Sequence, residues 1–274
     1  GMPDADVALL HSYDNLWAVD IEANTPDFDY WRHLETYYSA LRERSVTVDV
    51  VRPTADLSGY DAVVAPTLYL ADTDLAENLD SYVGSGGELL VTMRSGIKDP
   101  YNKLHDAPQP GPLRDLVGAE VADHESVPEE LASRVVYDGE TYDAGVWNEW
   151  LEPVHKRTAV EGRYEGESAD GEAAVVHTGH GEGAVTYVGT WPTADLAGAL
   201  VGDLLDRAGV ETTGPLGERV RLTHRDGLTW VVNFGESPVS VDAPEDAEWV
   251  VGTETVGPVD AAVVDAPPAD LTIE

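Results

Sequence analysis

The stretch "YDAVVAPTLYLADTDLAENLDSYVGSGGELLVTMRSG" (residues 60–96) decides the fold class. Its opening, residues 60–70, is an apolar run of the kind found in buried strands. "DTDLAENLDSYVGSGG" predicts a helix that an aspartate caps and Gly84 closes. "ELLVTM" predicts a further strand. Strands that alternate with helices at this spacing favour a doubly wound parallel α/β sheet, in which ligands gather at the carboxyl ends of the strands.

Upstream of this stretch the same alternation continues. "DVALLHSYD" (6–14) predicts a first strand that ends in a polar loop, and "VTVDVVRP" (46–53) predicts a second strand that stops at its proline. Between them "DYWRHLETYYSALRERSV" predicts a helix with Asp27 or Asp29 as N-cap. One face of that helix is predicted to carry four apolar residues: Trp31, Leu34, Tyr38 and Leu41.

Downstream of residue 102 the pattern loosens. "HDAPQPGPLRDLVGAEV" predicts a loop with a short helix, residues 119–172 contain strand-like pieces, and residues 172–190 predict two strands around a glycine-rich turn. Residues 192–210 predict a helix that Gly209 stops. Its apolar face is expected to carry Leu196, Leu200 and Leu204.

The pattern changes again at "ETTGPLGE" (211–218), which is predicted to be a linker. Beyond it, apolar and polar residues alternate around an Asp226-Gly227 turn, as in a β-hairpin. The expected organisation is an α/β domain over residues 1–213, followed by a small all-β domain over residues 214–274.

The charge of the chain indicates its habitat. The 274 residues include 52 acidic and 16 basic side chains, a formal net charge of −36, and only three of the basic ones are lysines. At molar salt the Debye length falls to about 3 Å and the self-repulsion largely disappears. We therefore expect a halophilic protein of a high-salt cytoplasm. Nucleic acid and anionic membranes are unsuitable partners, because their phosphates would be repelled.

The residue inventory excludes several kinds of chemistry. The chain has no cysteine, so it has no disulfide framework, thiolate nucleophile or cysteine metal site. No apolar run reaches the roughly 18 residues needed to span a bilayer, and no signal peptide is predicted. No cofactor and no metal site are expected.

One catalytic hypothesis centres on Ser95, which follows the strand where amidotransferase-like sheets place a nucleophile. His180 and Glu182, in "HTGHGEG", have the spacing of its possible partners. Against this hypothesis, a nucleophile elbow requires small flanking residues, whereas Met93 and Arg94 are bulky.

Three further groups of side chains are weaker indications of a functional site. Paired carboxylates for glycoside hydrolysis cannot be chosen among 52 acids. A metal site at His177 and His180 is weakly indicated, because two histidines three residues apart need a helix to converge. The cluster Trp147, Glu149 and Trp150 could stack on a sugar, although such tryptophans more often belong to a core or a subunit interface.

Several stretches together resemble a known family. "VALLHSYDNLW", "DLSGYDAVVAP", "RSGIKDPYN" with "PGPLRDL", and "GEGAVTYVGTWP" resemble the middle domain of glycoside hydrolase family 42 β-galactosidases, in a haloarchaeal form. In that family this is the trimerisation domain, with a flavodoxin-like or class I glutamine amidotransferase-like sheet. The small β domain matches the family's C-terminal domain in position and size.

The resemblance implies a non-catalytic role. The family's catalytic glutamates lie in an N-terminal (β/α)₈ barrel of about 250 residues, so no catalytic residue is carried over. The implied partners are two further copies, in a homotrimer, and the barrel of the parent β-galactosidase, which would hydrolyse terminal β-galactosides with retention. Gly1-Met2 resembles a tag remnant, and the chain is expected either to be cut from a full β-galactosidase or to come from a gene without the barrel.

The predicted subunit contacts lie in two places, the loop 94–102 and the tryptophan cluster. The candidate residues are Arg94, Lys98, Asp99, Tyr101, Asn102, Trp147 and Trp150. Two alternatives stay open at this point. One is an active hydrolase that uses Ser95, His180 and Glu182, and the other is a free-standing galactoside-binding module.

Overall fold

Eighteen strands and five α-helices make up the part of the chain that the computed structural model describes, residues 5–128, 131–166, 169–216 and 219–273. The helices are α1 Tyr13–Ile21, α2 Tyr30–Arg42, α3 Thr73–Gly84, α4 Arg114–Val117 and α5 Ala194–Ala208. The strands of the first region are β1 Val7–Leu10, β2 Val48–Val51, β3 Ala62–Ala65, β4 Glu88–Thr92, β5 Ala119–Val127, β6 Ser133–Tyr137, β7 Glu140–Pro153, β8 Thr158–Glu165, β9 Ala173–His180, β10 Gly183–Val188 and β11 Thr190–Pro192. The strands of the second region are β12 Val220–Arg225, β13 Leu228–Asn233, β14 Val239–Asp242, β15 Trp249–Val251, β16 Thr255–Val256, β17 Asp260–Val264 and β18 Thr272–Ile273.

The centre of the first region is a parallel sheet in the order β2-β1-β3-β4-β10. All residues of β1 and β3 are buried, because helices cover both faces of the sheet. Helices α1, α2 and α5 contribute to the apolar core on one face, and α3 and α4 to the core on the other. The predicted mixed α/β architecture is confirmed.

The helix ends follow the capping chemistry of the sequence. The Asp29 side chain accepts a hydrogen bond from the Arg32 N–H at 3.0 Å, and Asp72 accepts one from the Leu75 N–H at 2.9 Å. Helix α3 ends at Gly84, and Gly209 caps α5 with a φ of 68°. Leu196, Leu200 and Leu204 are buried in α5, as expected.

Two predictions near the N-terminus are wrong. The predicted polar loop after β1 is helix α1, which Ser12 caps by accepting from the Asn15 N–H at 3.4 Å. The predicted apolar face of α2 is also only partly buried. Leu34 and Leu41 are buried, whereas Trp31 and Tyr38 are 44% and 39% exposed. The inward positions belong instead to Tyr30, His33, Tyr37 and Ala40.

An antiparallel extension follows the parallel core. From β10 the sheet continues through β9, β8, β6 and β7 to β11, and β5 pairs with β7, so that eleven strands form one sheet. The glycine-rich turn joins β9 to β10, as predicted, with Gly183 opposite His180. Gly181 has a φ of 63°, and a Cβ there would lie 2.6 Å from the Gly84 backbone. The turn therefore packs on the end of α3 only with a glycine at this position.

The second region is all-β, as predicted, with one sheet of four strands and one of three. Asp226 and Gly227 connect β12 to β13 with φ angles of 52° and 80°, the left-handed pair of a type I′ turn. The Arg42 guanidinium donates to Thr223 Oγ1 at 3.1 Å and thereby ties α2 to β12. The domain boundary at 213/214 stays a prediction.

Candidate functional site

The candidate site is the loop that follows β4, at the carboxyl ends of the parallel strands where such sheets bind ligands. Ser95 is fully buried there. Its Oγ donates to the Thr92 carbonyl at 2.7 Å and accepts from the Leu68 N–H at 3.0 Å. The first contact closes the turn at the end of β4 and the second joins the loops after β3 and β4, so the hydroxyl has a structural role and offers no exposed nucleophile.

The proposed partners of Ser95 lie at the other end of the sheet. His180 is opposite Gly183 at the start of β10, whereas Thr92 pairs with Val188 at its end. Five residues of strand separate these positions, about 16 Å at the strand rise. His180 Nε2 instead lies 2.9 Å from Asp80 Oδ1. A nucleophile and its base must lie within hydrogen-bond reach, so the Ser95, His180 and Glu182 triad is wrong.

Arg94 takes the central position of the loop. Its φ is 61°, and its side chain is fully buried. The guanidinium donates to the carbonyls of Ala23 and Glu22, each at 2.8 Å, and these carbonyls lie at the end of α1. A cation at that end compensates the unpaired carbonyls and the negative end of the helix dipole.

Aromatic rings enclose the same guanidinium. Its Cζ lies 4.4 Å from the ring centroid of Phe28 and 4.8 Å from that of Trp147. Rings at these distances stabilise a desolvated cation through their negative faces. Burial lowers the pKa of Arg94 from its ordinary value. The result is a cation held inside the fold, at the carboxyl ends of the parallel strands.

Lys98 strengthens the attachment of α1. Its Nζ forms an ion pair with Glu22 Oε2 at 2.7 Å and lies 5.8 Å from the Tyr69 ring centroid. The hydrogen bond from Lys98 lowers the pKa of Glu22. Arg94 and Lys98 thus hold one residue, Glu22, through its carbonyl and its carboxylate, and the loop after β4 fixes the end of α1.

Glu149, on β7, lies behind the Arg94 backbone. Its Oε1 accepts from the Arg94 N–H at 2.8 Å, from Gln109 Nε2 at 2.6 Å and from Trp147 Nε1 at 3.2 Å. Its Oε2 accepts from the Tyr187 hydroxyl at 2.7 Å. Burial raises the pKa of Glu149, although the four donors favour its ionised form. This buried carboxyl therefore joins the loop after β4 to β7 and β10.

The residues predicted to contact another subunit divide into two groups. Arg94, Lys98 and Trp147 are buried within the chain, so their side chains are not available to a neighbour. Trp150 is half-buried. In the loop, Asp99 accepts from the N–H groups of Tyr101 and Lys103, at 2.9 and 3.0 Å, and orders a turn that exposes Tyr101 and Asn102. Contact with another subunit through Asp99, Tyr101, Asn102 and Trp150 stays a prediction.

The histidines considered as metal ligands have other contacts. His177 Nδ1 lies 3.1 Å from Thr186 Oγ1 and 2.6 Å from Arg207 Nη1, while His180 pairs with Asp80. Among the described residues, no three histidine or carboxylate side chains converge as metal ligands. No helix in the described ranges is long and apolar enough to cross a membrane.

Comparison with known proteins places this architecture in a family. Residues 5–211 match the family model described as the β-galactosidase trimerisation domain, and residues 219–266 match the β-galactosidase C-terminal domain. Among curated proteins, β-galactosidase BgaH of Haloferax lucentense is 49% identical over 262 residues, which are 96% of this chain and 39% of that protein. Bga of Halorubrum lacusprofundi is 49% identical over 84% of this chain and 34% of its own length.

Solved structures agree with these matches. The polyextremophilic β-galactosidase of the Antarctic haloarchaeon Halorubrum lacusprofundi superposes with a TM-score of 0.92 at 45% identity, covering 98% of this chain and 41% of that one. The enzyme of Bacillus circulans sp. alkalophilus shares the fold, with a TM-score of 0.86 at 20% identity. The chain spans 39% and 34% of the length of the two curated haloarchaeal relatives. It belongs to the glycoside hydrolase family 42 β-galactosidases, of which it carries the trimerisation and C-terminal domains.

Proposed function

We propose that this chain is the non-catalytic assembly region of a halophilic β-galactosidase and works in a high-salt cytoplasm. It would hold three subunits together through the α/β domain. Hydrolysis of terminal β-galactosides, with retention, would take place in an N-terminal barrel of the same protein. We also propose that the parallel sheet is of the flavodoxin-like or amidotransferase-like type, since its order β2-β1-β3-β4-β10 is that of such sheets.

The match of residues 5–211 to a trimerisation domain carries this proposal. The geometry after β4 supports it. The buried guanidinium of Arg94 and the carboxyl of Glu149 lie at the carboxyl ends of the parallel strands, where sheets of this type bind ligands. The Ser95 hydroxyl is hydrogen-bonded to the backbone. A region with these contacts contributes stability and shape rather than bond cleavage.

Two experiments test the proposal. The first translates the genomic reading frame upstream of Met2, where an in-frame (β/α)₈ barrel is expected and a stop codon would contradict the proposal. The second assays the 274-residue chain in molar KCl for hydrolysis of a nitrophenyl β-galactoside. No turnover above the buffer rate is expected, and turnover that persists after repurification would overturn the non-catalytic role.

A further inference from the structure

Helix α1 presents an apolar stripe to solvent. Tyr13, Trp17 and Ile21 are spaced four residues apart, so they share one face of the helix. Their exposed fractions are 57%, 59% and 72%. The opposite face carries Ala18 and Val19, which are buried in the core. Helix α1 therefore has two apolar faces, and only the face with Ala18 and Val19 is covered within the chain.

Trp31 of α2 extends this stripe. The ring centroid of Tyr13 lies 6.0 Å from that of Trp17 and 6.2 Å from that of Trp31. His11 packs beneath, 4.8 Å from Tyr13 and 4.6 Å from Trp31. The aromatic surface is defined here as Tyr13, Trp17, Ile21 and Trp31. Its rings form one contiguous patch rather than isolated exposed side chains.

The size of the aromatic surface suits a protein partner. Large aromatic side chains carry 150–250 Å² each, so three half-exposed rings offer roughly 300 Å². One partner of a standard interface contributes about 800 Å² in total. The three rings alone therefore supply more than a third of that area. Tryptophan and tyrosine are also the side chains that most often dominate binding energy.

The four side chains of the aromatic surface include no carboxylate, in a chain with 52 acidic residues. A cleft of about 690 Å³ adjoins the surface and includes Tyr13 and Trp17 in its lining. Its charged lining residues are Asp14, Asp72 and Arg52, an acidic excess like that of the whole chain, and Asp20 also lies on α1. Two copies of a chain with a net charge of −36 repel each other least where apolar side chains replace carboxylates.

We infer that a second copy of this chain docks on the aromatic surface of Tyr13, Trp17, Ile21 and Trp31. The inference rests on the proposed role in assembly and assigns that role a location. Arg94 and Lys98 act as positioning residues for it, because they bind Glu22 at the end of α1 and so hold the stripe in place before a partner arrives. A preorganised surface loses less entropy on association.

The test compares Trp17→Asp with a matched control, Phe234→Asp. Phe234 is 62% exposed and follows β13 in the all-β region. Light scattering of the 274-residue chain in 3 M KCl, over a concentration series, measures the mass of each protein. We expect the wild type and Phe234→Asp to assemble alike, and Trp17→Asp to dissociate at concentrations at least tenfold higher than theirs. Circular dichroism confirms the fold, and Trp17→Gln replaces the aspartate variant if that variant does not fold.

The outcomes separate the inference from the proposed function. If Trp17→Asp and Trp31→Asp assemble as tightly as the wild type, the aromatic surface is not the subunit contact, and other residues of the chain must form it. If the wild type stays a monomer, the proposed role in assembly fails together with its location. Acrylamide quenching gives a second readout, since assembly should protect Trp17 and Trp31 from the quencher.

Discussion

Replacing Arg94 with methionine tests the claim that the loop after β4 exists to hold α1. Methionine keeps the apolar stem of the side chain but removes the guanidinium. The variant loses the two hydrogen bonds to Ala23 and Glu22, each 2.8 Å long, and the stacking against Phe28 and Trp147. The backbone N–H of residue 94 still reaches Glu149, so the change isolates the side chain.

The magnitude follows from these contacts. Hydrogen bonds from a charged donor contribute about 1.5–3 kcal/mol each, and each ring contact about 0.5–2 kcal/mol. The variant also avoids the desolvation of a buried cation, which offsets several kcal/mol of that loss. We therefore expect the free energy of unfolding to fall by about 3 kcal/mol.

Urea unfolding in 3 M KCl measures this loss, and hydrogen exchange locates it. The amides of α1 should exchange faster in the variant than those of α3, which Arg94 does not contact. Arg134→Met is the matched control. Its side chain is 54% exposed and its ion pair with Glu165 is 3.6 Å long, so a change within about 0.5 kcal/mol is expected. A loss below about 1 kcal/mol for Arg94→Met, or α1 protection equal to that of the wild type, would refute the reasoning.

Three further predictions follow from the buried groups. Ser95→Ala should lower the free energy of unfolding by about 1–3 kcal/mol in urea titrations, because the Leu68 N–H loses its acceptor, and an unchanged value would contradict the contact. Burial lowers the pKa of His33 to about 3. Between pH 6.5 and about pH 3 the unfolded chain binds a proton at His33 that the folded chain does not. The free energy of unfolding of the wild type should therefore fall relative to that of His33→Gln by about 1.4 kcal/mol per pH unit as the pH is lowered. Parallel pH profiles of the two proteins would contradict this. Burial raises the pKa of Glu149, so the folded chain takes up this proton at a higher pH than the unfolded chain. The stability of the wild type relative to Glu149→Gln should therefore rise as the pH falls from 7 towards 4.5. A difference that stays constant over this range would contradict the raised pKa.

Much of the fold could be predicted from the sequence because local signals agreed with the tertiary structure. The capping aspartates, the closing Gly84 and Gly209, and the Asp226-Gly227 turn each have a local physical cause. Helix α1 was missed because its outward stripe is as apolar as its inward face, which obscures the usual amphipathic pattern. The Ser12 cap and the spacing of Tyr13, Trp17 and Ile21 were the signals that could have identified it.

The site was harder to predict, because it depends on contacts between distant parts of the chain. The spacing of His180 and Glu182 suggested a triad, but the direction of β10 places them at the far end of the sheet. Arg94 was predicted to contact another subunit, whereas it is buried by carbonyls at the end of α1 and by the rings of Phe28 and Trp147, all distant from it in the sequence. The positive φ at Arg94 likewise leaves no mark in the sequence.

The central claim is that this chain assembles subunits, and its mass in solution tests that most directly. Sedimentation equilibrium of the wild-type 29.5 kDa chain in 3 M KCl should fit a reversible association that ends at three copies. The mass should fall towards one copy as the protein is diluted. A mass that stays at one copy at every concentration would contradict the account.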